Sequence, residues 1–286
     1  MKPEISGATL IAGVAGSPVR HSLSPLIHNA WLASTGVDGV YVAFPLPETG
    51  LKAAVDGFRG GVIRGLNITL PFKEEALALA DSVSGRARQA GAANLLLFKE
   101  DGSVSADNTD GAGLMAAFAE QAPKFDVAAR PVVVLGAGGA ARGAVAALLS
   151  AGVPQVRLIN RTREKAETIG AALGDKVAVL EWGELREALI GAGSVINATS
   201  LGLDSRDPLA ISLEGLQAGS VVMDMVYKPL RTALLARAVA EGFVTVDGLA
   251  MLIGQAAPSF EAFFGRPPPA EVDVRALALK ALGAPA

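Results

Sequence analysis

The residues Gly136-Ala137-Gly138-Gly139-Ala140-Ala141 follow directly on a short apolar run, Val132-Val133-Val134-Leu135, and lead into alanine-rich sequence of helix-forming composition. Strand, glycine turn and helix in that order are what binding of a dinucleotide pyrophosphate requires. Gly136 permits the tight turn, Gly138 lets the backbone approach the anion, and Ala141 lets helix and strand pack closely. The helix start, with Gly139 and Ala140, supplies free N–H groups and partial positive charge. One strand further on, Asn160-Arg161-Thr162-Arg163 stands about 20 residues past the glycines, where a carboxylate would select a free ribose 2′-hydroxyl. Arg161, Thr162 and Arg163, with Lys165 just beyond, offer cations and a hydroxyl instead, which suit a 2′-phosphate. The nucleotide therefore reads as NADP rather than NAD. The same residues are also compatible with a solvated basic turn that simply opens a helix.

A second set of polar residues falls near the ends of strands, where ligands bind in open α/β sheets. Ser22 and Ser24 follow the first strand, Asn67 and Thr69 alternate along the third, and Lys73 lies two residues past Pro71. Asn94 interrupts an apolar run, and Asp110 opens a helix. Each has a plainer role open to it. Ser24 suits a helix cap, with Pro25 in the first turn. Asn67 and Thr69 suit an edge strand, and Asn94 needs only some hydrogen-bond partner if buried. Asp110 suits a helix N-terminus. Lys73 does not, because a cation in the first turn opposes the helix dipole.

The elements that must carry these groups alternate. Strands are expected at Ala8 to Val14, Val40 to Phe44, Gly65 to Pro71 and Gly91 to Phe98. Helices are expected at Leu26 to Ser34, Leu51 to Phe58, Phe72 to Ala80 and Leu114 to Glu120. Past the glycine turn, strands are expected at Gln155 to Ile159, Lys176 to Leu180, Gly193 to Asn197, Ser220 to Asp224 and Phe243 to Val246. A helix from Ala256 to Phe264, with Pro258 in its first turn, and a last helix from Val272 complete the pattern. The fold class is α/β throughout.

The chain has 286 residues, which suggests two domains, and 51% of them are apolar, enough for sizeable cores. With no cysteine, disulfides, thiolate metal sites and cysteine nucleophiles are excluded, and two histidines make a histidine-rich metal site unexpected. No metal is expected. The net charge of −3 gives no footprint for nucleic acid or anionic membrane. No run approaches the ~18 apolar residues of a membrane span. A cytoplasmic protein acting on a small molecule, as a monomer or homodimer, is the expectation.

Nine motifs in order carry a resemblance to the shikimate dehydrogenase family. They are Gly16-x-Pro18-x-x-His21-Ser22-x-Ser24-Pro25-x-x-His28; Asn67-Ile68-Thr69-Leu70-Pro71-Phe72-Lys73; Ala90-Gly91-Ala92-Ala93-Asn94; Asp107-Asn108-Thr109-Asp110-Gly111; the glycine turn; Asn160-Arg161-Thr162; Asn197-Ala198-Thr199-Ser200; Asp224-Met225-Val226-Tyr227; and Asp247-Gly248-Leu249-Ala250-Met251-Leu252-x-x-Gln255. The resemblance implies an N-terminal α/β substrate domain, residues 1–110 completed by 247–286. It implies a Rossmann-like doubly wound NADP-binding domain at 111–246, an active-site cleft between the two, and closure about a hinge. It implies reversible NADPH-dependent reduction of 3-dehydroshikimate to shikimate, in the pathway to chorismate and the aromatic amino acids. Ser22 and Ser24 would bind the substrate carboxylate. Asn67, Thr69, Lys73, Asn94, Asp110 and Gln255 would surround the ring hydroxyls, with Tyr227 near the nicotinamide. Lys73 and Asp110 would be the acid/base pair, consistent with the proton that must move as hydride leaves a secondary alcohol. The cofactor site would extend to Thr199, Val226, Gly248 and Met251. Leu95, Arg231 and Ala250 depart from the family's usual residues. Quinate-oxidising relatives on the same scaffold, some favouring NAD, and a catalytically silent NADP-binding sensor are the alternatives.

Overall fold

The computed structural model describes residues 5–203 and 207–284. The chain divides into two compact units, Met1–Thr109 with Gln255–Ala286, and Asp110–Gly254.

In the first unit the order is β1 (Leu10–Gly16), α1 (Ser24–Thr35), β2 (Gly39–Pro45), α2 (Leu51–Phe58), β3 (Gly65–Ile68), α3 (Lys73–Leu79), β4 (Ser82–Val83), α4 (Gly85–Ala90), β5 (Leu95–Phe98) and β6 (Val104–Asp107). The strands form one sheet in the order β2-β1-β3-β5-β6-β4. The strands β2, β1 and β3 run parallel, whereas β5 is antiparallel to both β3 and β6. The alternation of strand and helix expected from sequence holds as far as β5, which β6 follows directly. Two short strands, β4 and β6, were not expected; β6 occupies sequence that reads as the approach to a polar turn. The third strand stops at Ile68, so Thr69 lies just past it, and Asn94 lies just before β5 rather than within a strand.

The second unit runs α5 (Asp110–Gln121), β7 (Val132–Leu135), α6 (Gly139–Ser150), β8 (Val156–Ile159), α7 (Arg163–Leu173), β9 (Val177–Leu180), α8 (Leu185–Leu189), β10 (Ser194–Asn197), β11 (Val221–Asp224), α9 (Ala233–Ala240) and β12 (Val244–Val246). Its strands are all parallel, in the order β12-β11-β10-β7-β8-β9. This is the doubly wound order, with the strand carrying the glycine turn at the point where the winding reverses. Alternate residues of β7 enter different cores. Val132 and Val134 pack with Leu114, Val145 and Leu148, whereas Val133 and Leu135 pack with Leu189, Leu234 and Leu235. A parallel strand covered on both faces needs apolar residues at every position, which is why the run is uninterrupted.

The last two helices are α10 (Gly248–Phe264) and α11 (Val274–Leu282). The former begins eight residues before the expected Ala256, so Pro258 lies inside it rather than in its first turn. The chain passes from the second unit to the first between Gly254 and Gln255, within this helix, rather than at about Asp247. Pro258 has no N–H to bond the Gly254 carbonyl one turn back, so the ladder is interrupted where the chain changes unit.

The core of the first unit contains an ionisable group. His28 of α1 is fully buried, stacked on Tyr41 with ring centroids 4.0 Å apart and planes 8° from parallel. Trp31, Phe260 and Phe263 surround it, and neither ring nitrogen has a hydrogen-bond partner among the described residues. Burial lowers its pKa to about 3. The unfolded chain takes up a proton below about pH 6.5 that the native state refuses. Stability is therefore fully present above that pH and is lost as pH falls towards 3, by up to ~1.4 kcal/mol per unit. Urea unfolding from pH 7 to 4 is expected to show a shallower acid limb in His28→Phe than in wild type. Equal slopes would mean that His28 finds a proton acceptor or water in the native state.

Candidate functional site

The second unit supplies an anion cradle. Gly136 has φ 112°, a conformation side chains resist, and a Cβ there would lie 2.9 Å from the Ala198 carbonyl oxygen. Two residues on, Gly138 is the N-cap of α6, with no side-chain cap and open space where a Cβ would be. The first N–H groups of the helix, at Gly139, Ala140 and Ala141, have no acceptor one turn back, because the Gly138 carbonyl is first met by the Arg142 N–H at 3.0 Å. Ala137 and Ala140 are half-buried beside them. The next strand end delivers the basic turn. Asn160 Nδ2 donates to the Thr162 carbonyl at 2.7 Å and holds it closed. Arg163 is committed to Glu167 and Glu181, at 2.7 and 2.6 Å. Arg161 and Lys165 are exposed and have no ion-pair partner among the described residues. An open cradle of backbone donors followed by uncommitted cations fits a dinucleotide that carries an extra phosphate.

Two further loops are tied together at adjacent strand ends. Asn197 closes β10 and Asp224 closes β11, and Asn197 Nδ2 donates to Asp224 Oδ1 at 2.8 Å. Asn197 Oδ1 in turn accepts from Thr199 N and Thr199 Oγ1, at 3.0 and 2.7 Å. Asp224 also accepts from Val226 N at 3.0 Å and from Thr232 Oγ1 at 2.7 Å. Burial raises its carboxyl above the ordinary value, against the pull of these donors. One amide–carboxyl pair thus shapes the turns bearing Thr199 and Val226. Gly248 opens α10 so close to the Met225 carbonyl that a Cβ would overlap it. Met251 packs on the same core, and burial pushes the half-buried Tyr227 phenol up.

The first unit contributes a buried chain of amides and hydroxyls. Asn67 is 5% exposed, Asn94 2%, Thr109 0%, Gln255 9% and Ser259 0%. Asn67 Nδ2 donates to the Asn94 carbonyl at 3.0 Å and to Ser259 Oγ at 2.9 Å. Asn94 Nδ2 donates to Thr109 Oγ1 at 2.9 Å and faces Gln255 Oε1 at 3.3 Å. Asn94 Oδ1 accepts from Thr109 N at 2.7 Å. These residues come from β3, the position just before β5, the turn after β6 and α10. Lys73 is held beside them by its backbone, since its carbonyl accepts from the N–H of Ala93, the residue before Asn94, at 2.8 Å. Asp110, next to Thr109 in the chain, begins α5 of the second unit and is 7% exposed.

Residues 14–96 match the shikimate dehydrogenase substrate binding domain, residues 118–203 the shikimate/quinate 5-dehydrogenase family, and residues 248–278 the shikimate 5′-dehydrogenase C-terminal domain. The NADP(+) shikimate dehydrogenase of Caulobacter vibrioides is 56% identical over 99% of both chains. The chain belongs to the shikimate dehydrogenase family. The shikimate dehydrogenase of Thermus thermophilus in complex with NADP(H) and shikimate superposes with TM-score 0.83 at 36% identity, over 96% of this chain and 100% of that one. A quinate dehydrogenase of Corynebacterium glutamicum in complex with NAD superposes with TM-score 0.86 at 28% identity, over 96% and 99%.

Within this shikimate dehydrogenase fold the site residues named from sequence divide. Asn67, Asn94 and Gln255 meet in one network. Ser24 is not a cap: Leu23 is the N-cap, and Ser24 is a buried first-turn residue beside the Tyr41 hydroxyl. Ser22 Oγ accepts from Ser24 N at 3.2 Å, and Thr69 N donates to the Ala15 carbonyl at 3.0 Å; neither joins the network. Of the departures from the family pattern, Leu95 and Ala250 are buried in the cores and Arg231 is exposed. Tyr41, Ser259, Asn197 and Thr232 have structural roles at the site that sequence reading did not assign. For Ser259 a signal existed, since it stands one helical turn from Gln255 on the same face.

Proposed function

We propose that this chain is an NADP-dependent shikimate dehydrogenase, reducing 3-dehydroshikimate to shikimate reversibly, with Lys73 and Asp110 as the acid/base pair. The observation that carries the substrate side is the convergence of Asn67, Asn94 and Gln255, from distant segments, on one buried network, with the Lys73 carbonyl bonded to the residue before Asn94. Directional amides suit a ring bearing several hydroxyls. Ser22 and Ser24 present hydroxyls to the carboxylate, Thr69 lies at the end of β3, and Tyr227 stands with the cofactor turns. When bound, the nicotinamide supplies or accepts the hydride. The protein's part is to hold the ring and to move one proton at the carbonyl oxygen, given by Lys73 in reduction and taken back in oxidation. Asp110 orients the ammonium. In the cofactor site, Arg161 and Lys165, with Thr162, receive the 2′-phosphate.

The test is NADP reduction with shikimate and with quinate, each repeated with NAD. Shikimate with NADP is expected to give the highest kcat/KM; quinate or NAD ahead would move the chain to the sister activity seen by name in the Corynebacterium relative. Arg161→Ala is expected to raise the NADP KM about 10- to 100-fold, the scale of a lost charge-assisted hydrogen bond, and to leave NAD use nearly unchanged. Equal effects on both cofactors would remove Arg161 from the 2′-phosphate site.

A further inference from the structure

Three residues of α1 converge on one tyrosine of β2, and the hydroxyl of that tyrosine donates to Asn67 of the candidate substrate site. Asn29 grips the backbone of Tyr41: its Nδ2 donates to the Tyr41 carbonyl at 2.8 Å, and its Oδ1 accepts from Tyr41 N at 3.0 Å. The strand β2 is at the edge of its sheet, so these bonds complete groups that have no neighbouring strand. His28 stacks on the Tyr41 ring, and Ser24 lies beside its hydroxyl. Tyr41 is 1% exposed, so a buried phenol requires a partner of its own. It finds one in Asn67, donating to Oδ1 at 2.8 Å.

The identities of the Asn67 atoms follow from their neighbours. The Asn94 backbone carbonyl can only accept, so the Asn67 atom 3.0 Å from it must be the NH₂. The second amide hydrogen goes to Ser259 Oγ, whose own hydrogen is donated to the Gln255 carbonyl at 3.1 Å. Both Asn67 donors are therefore used inside the protein. Of the two acceptor positions on Oδ1, the phenol takes one. What remains is one lone pair.

We infer that Tyr41 is a positioning residue that fixes Asn67 as a hydrogen-bond acceptor, so that this amide recognises a ligand hydroxyl only as a donor. A carbonyl or ether oxygen at the same place would meet a lone pair instead of a hydrogen. The site thereby discriminates between a free hydroxyl and an oxidised or substituted one at the position that Asn67 faces. This inference rests on the reading that Asn67 faces shikimate.

Tyr41→Phe removes the hydroxyl and keeps the ring on His28. Shikimate KM is expected to rise about tenfold, the scale of one lost hydrogen bond at a buried amide, with the NADP KM within about twofold of wild type. In an Asn67→Ala background the same change is expected to add less than about twofold, because Tyr41 then has no amide to position. In ligand-free protein, the Asn67 side-chain amide hydrogens should exchange with solvent faster in Tyr41→Phe, while the backbone amides of β3 keep their wild-type rates. The same rise in KM with and without Asn67, an unchanged KM, or an unchanged Asn67 side-chain exchange rate would each overturn the inference. If wild type fails to oxidise shikimate, the proposed function falls. The exchange measurement still decides whether Tyr41 fixes the Asn67 amide.

Discussion

Lys73→Arg loses turnover almost as completely as Lys73→Ala, although only the first keeps the positive charge. The expected fall in kcat is about 10²- to 10⁴-fold for both, the usual contribution of a positioned acid/base group. The argument turns on what each side chain can do. Reduction of a ketone needs a proton at the oxygen as hydride arrives, and oxidation needs it removed. A lysine ammonium can release a proton and take it back, whereas a guanidinium stays protonated throughout the accessible range. If Lys73 only attracted a polar substrate, arginine would replace it with little loss. Shikimate KM is expected to move less than kcat in the arginine variant, because in the proposed site most contacts to the ring belong to the amides. NADP affinity should be unchanged in both, since the cofactor residues lie on other elements. Steady-state rates with an NADP fluorescence titration check all of this. An arginine variant with kcat near wild type would reduce Lys73 to a binding cation and require another acid.

How far the sequence disclosed this arrangement depended on the range of the physics at each place. Around the glycine turn every signal is local. A fully covered parallel strand demands four consecutive apolar residues, the turn demands glycine, and the helix start demands no side chain in the way; all three fall within a dozen residues of Val132. The basic turn was also local, but sequence could not distinguish Arg161 from Arg163. The structure does, because Glu181 comes from another loop to engage Arg163. The substrate-side network was legible only in part. Asn67 and Asn94 stand out as amides in apolar surroundings. Nothing near Tyr41 in the chain shows that its hydroxyl meets Asn67, and nothing near Ser259 shows that it is the second acceptor for the same amide. Such pairs form only when the fold closes. The helix α10 was misread for a related reason. Pro258 is a breaker by local rule, but the helix continues through it with Phe260 and Phe263 fully buried on its far side. Tertiary burial outweighs the one missing hydrogen bond.

Gly138→Asp separates stability from cofactor binding. Gly138 sits at φ −88°, ψ −176°, an extended conformation open to any residue, and a Cβ there meets nothing within 4 Å. The backbone therefore does not demand glycine. Aspartate is a good N-cap: its carboxylate can accept from the free N–H groups of the first turn and is favoured by the dipole, worth a few tenths of a kcal/mol over glycine. The variant is expected to melt at or slightly above the wild-type temperature. The same donors are those proposed for the pyrophosphate, and the new carboxylate both occupies them and repels the anion. Like-charge contact costs several kcal/mol, so NADP affinity should fall by at least about 100-fold. Gly136→Asp is the contrast, with a left-handed φ and the Ala198 carbonyl in the way of its Cβ; it is expected to lower the melting temperature. Thermal unfolding and an NADP titration on both variants make the comparison. Undiminished NADP binding in Gly138→Asp would mean that the pyrophosphate does not lie at this helix start. A melting temperature well below wild type would mean that Gly138 is kept for the fold, and its open surroundings would need another explanation than an anion. On the proposed reading, the position with room for a side chain carries glycine because the missing side chain leaves space for the ligand, and the fold gives up a helix cap to leave it so.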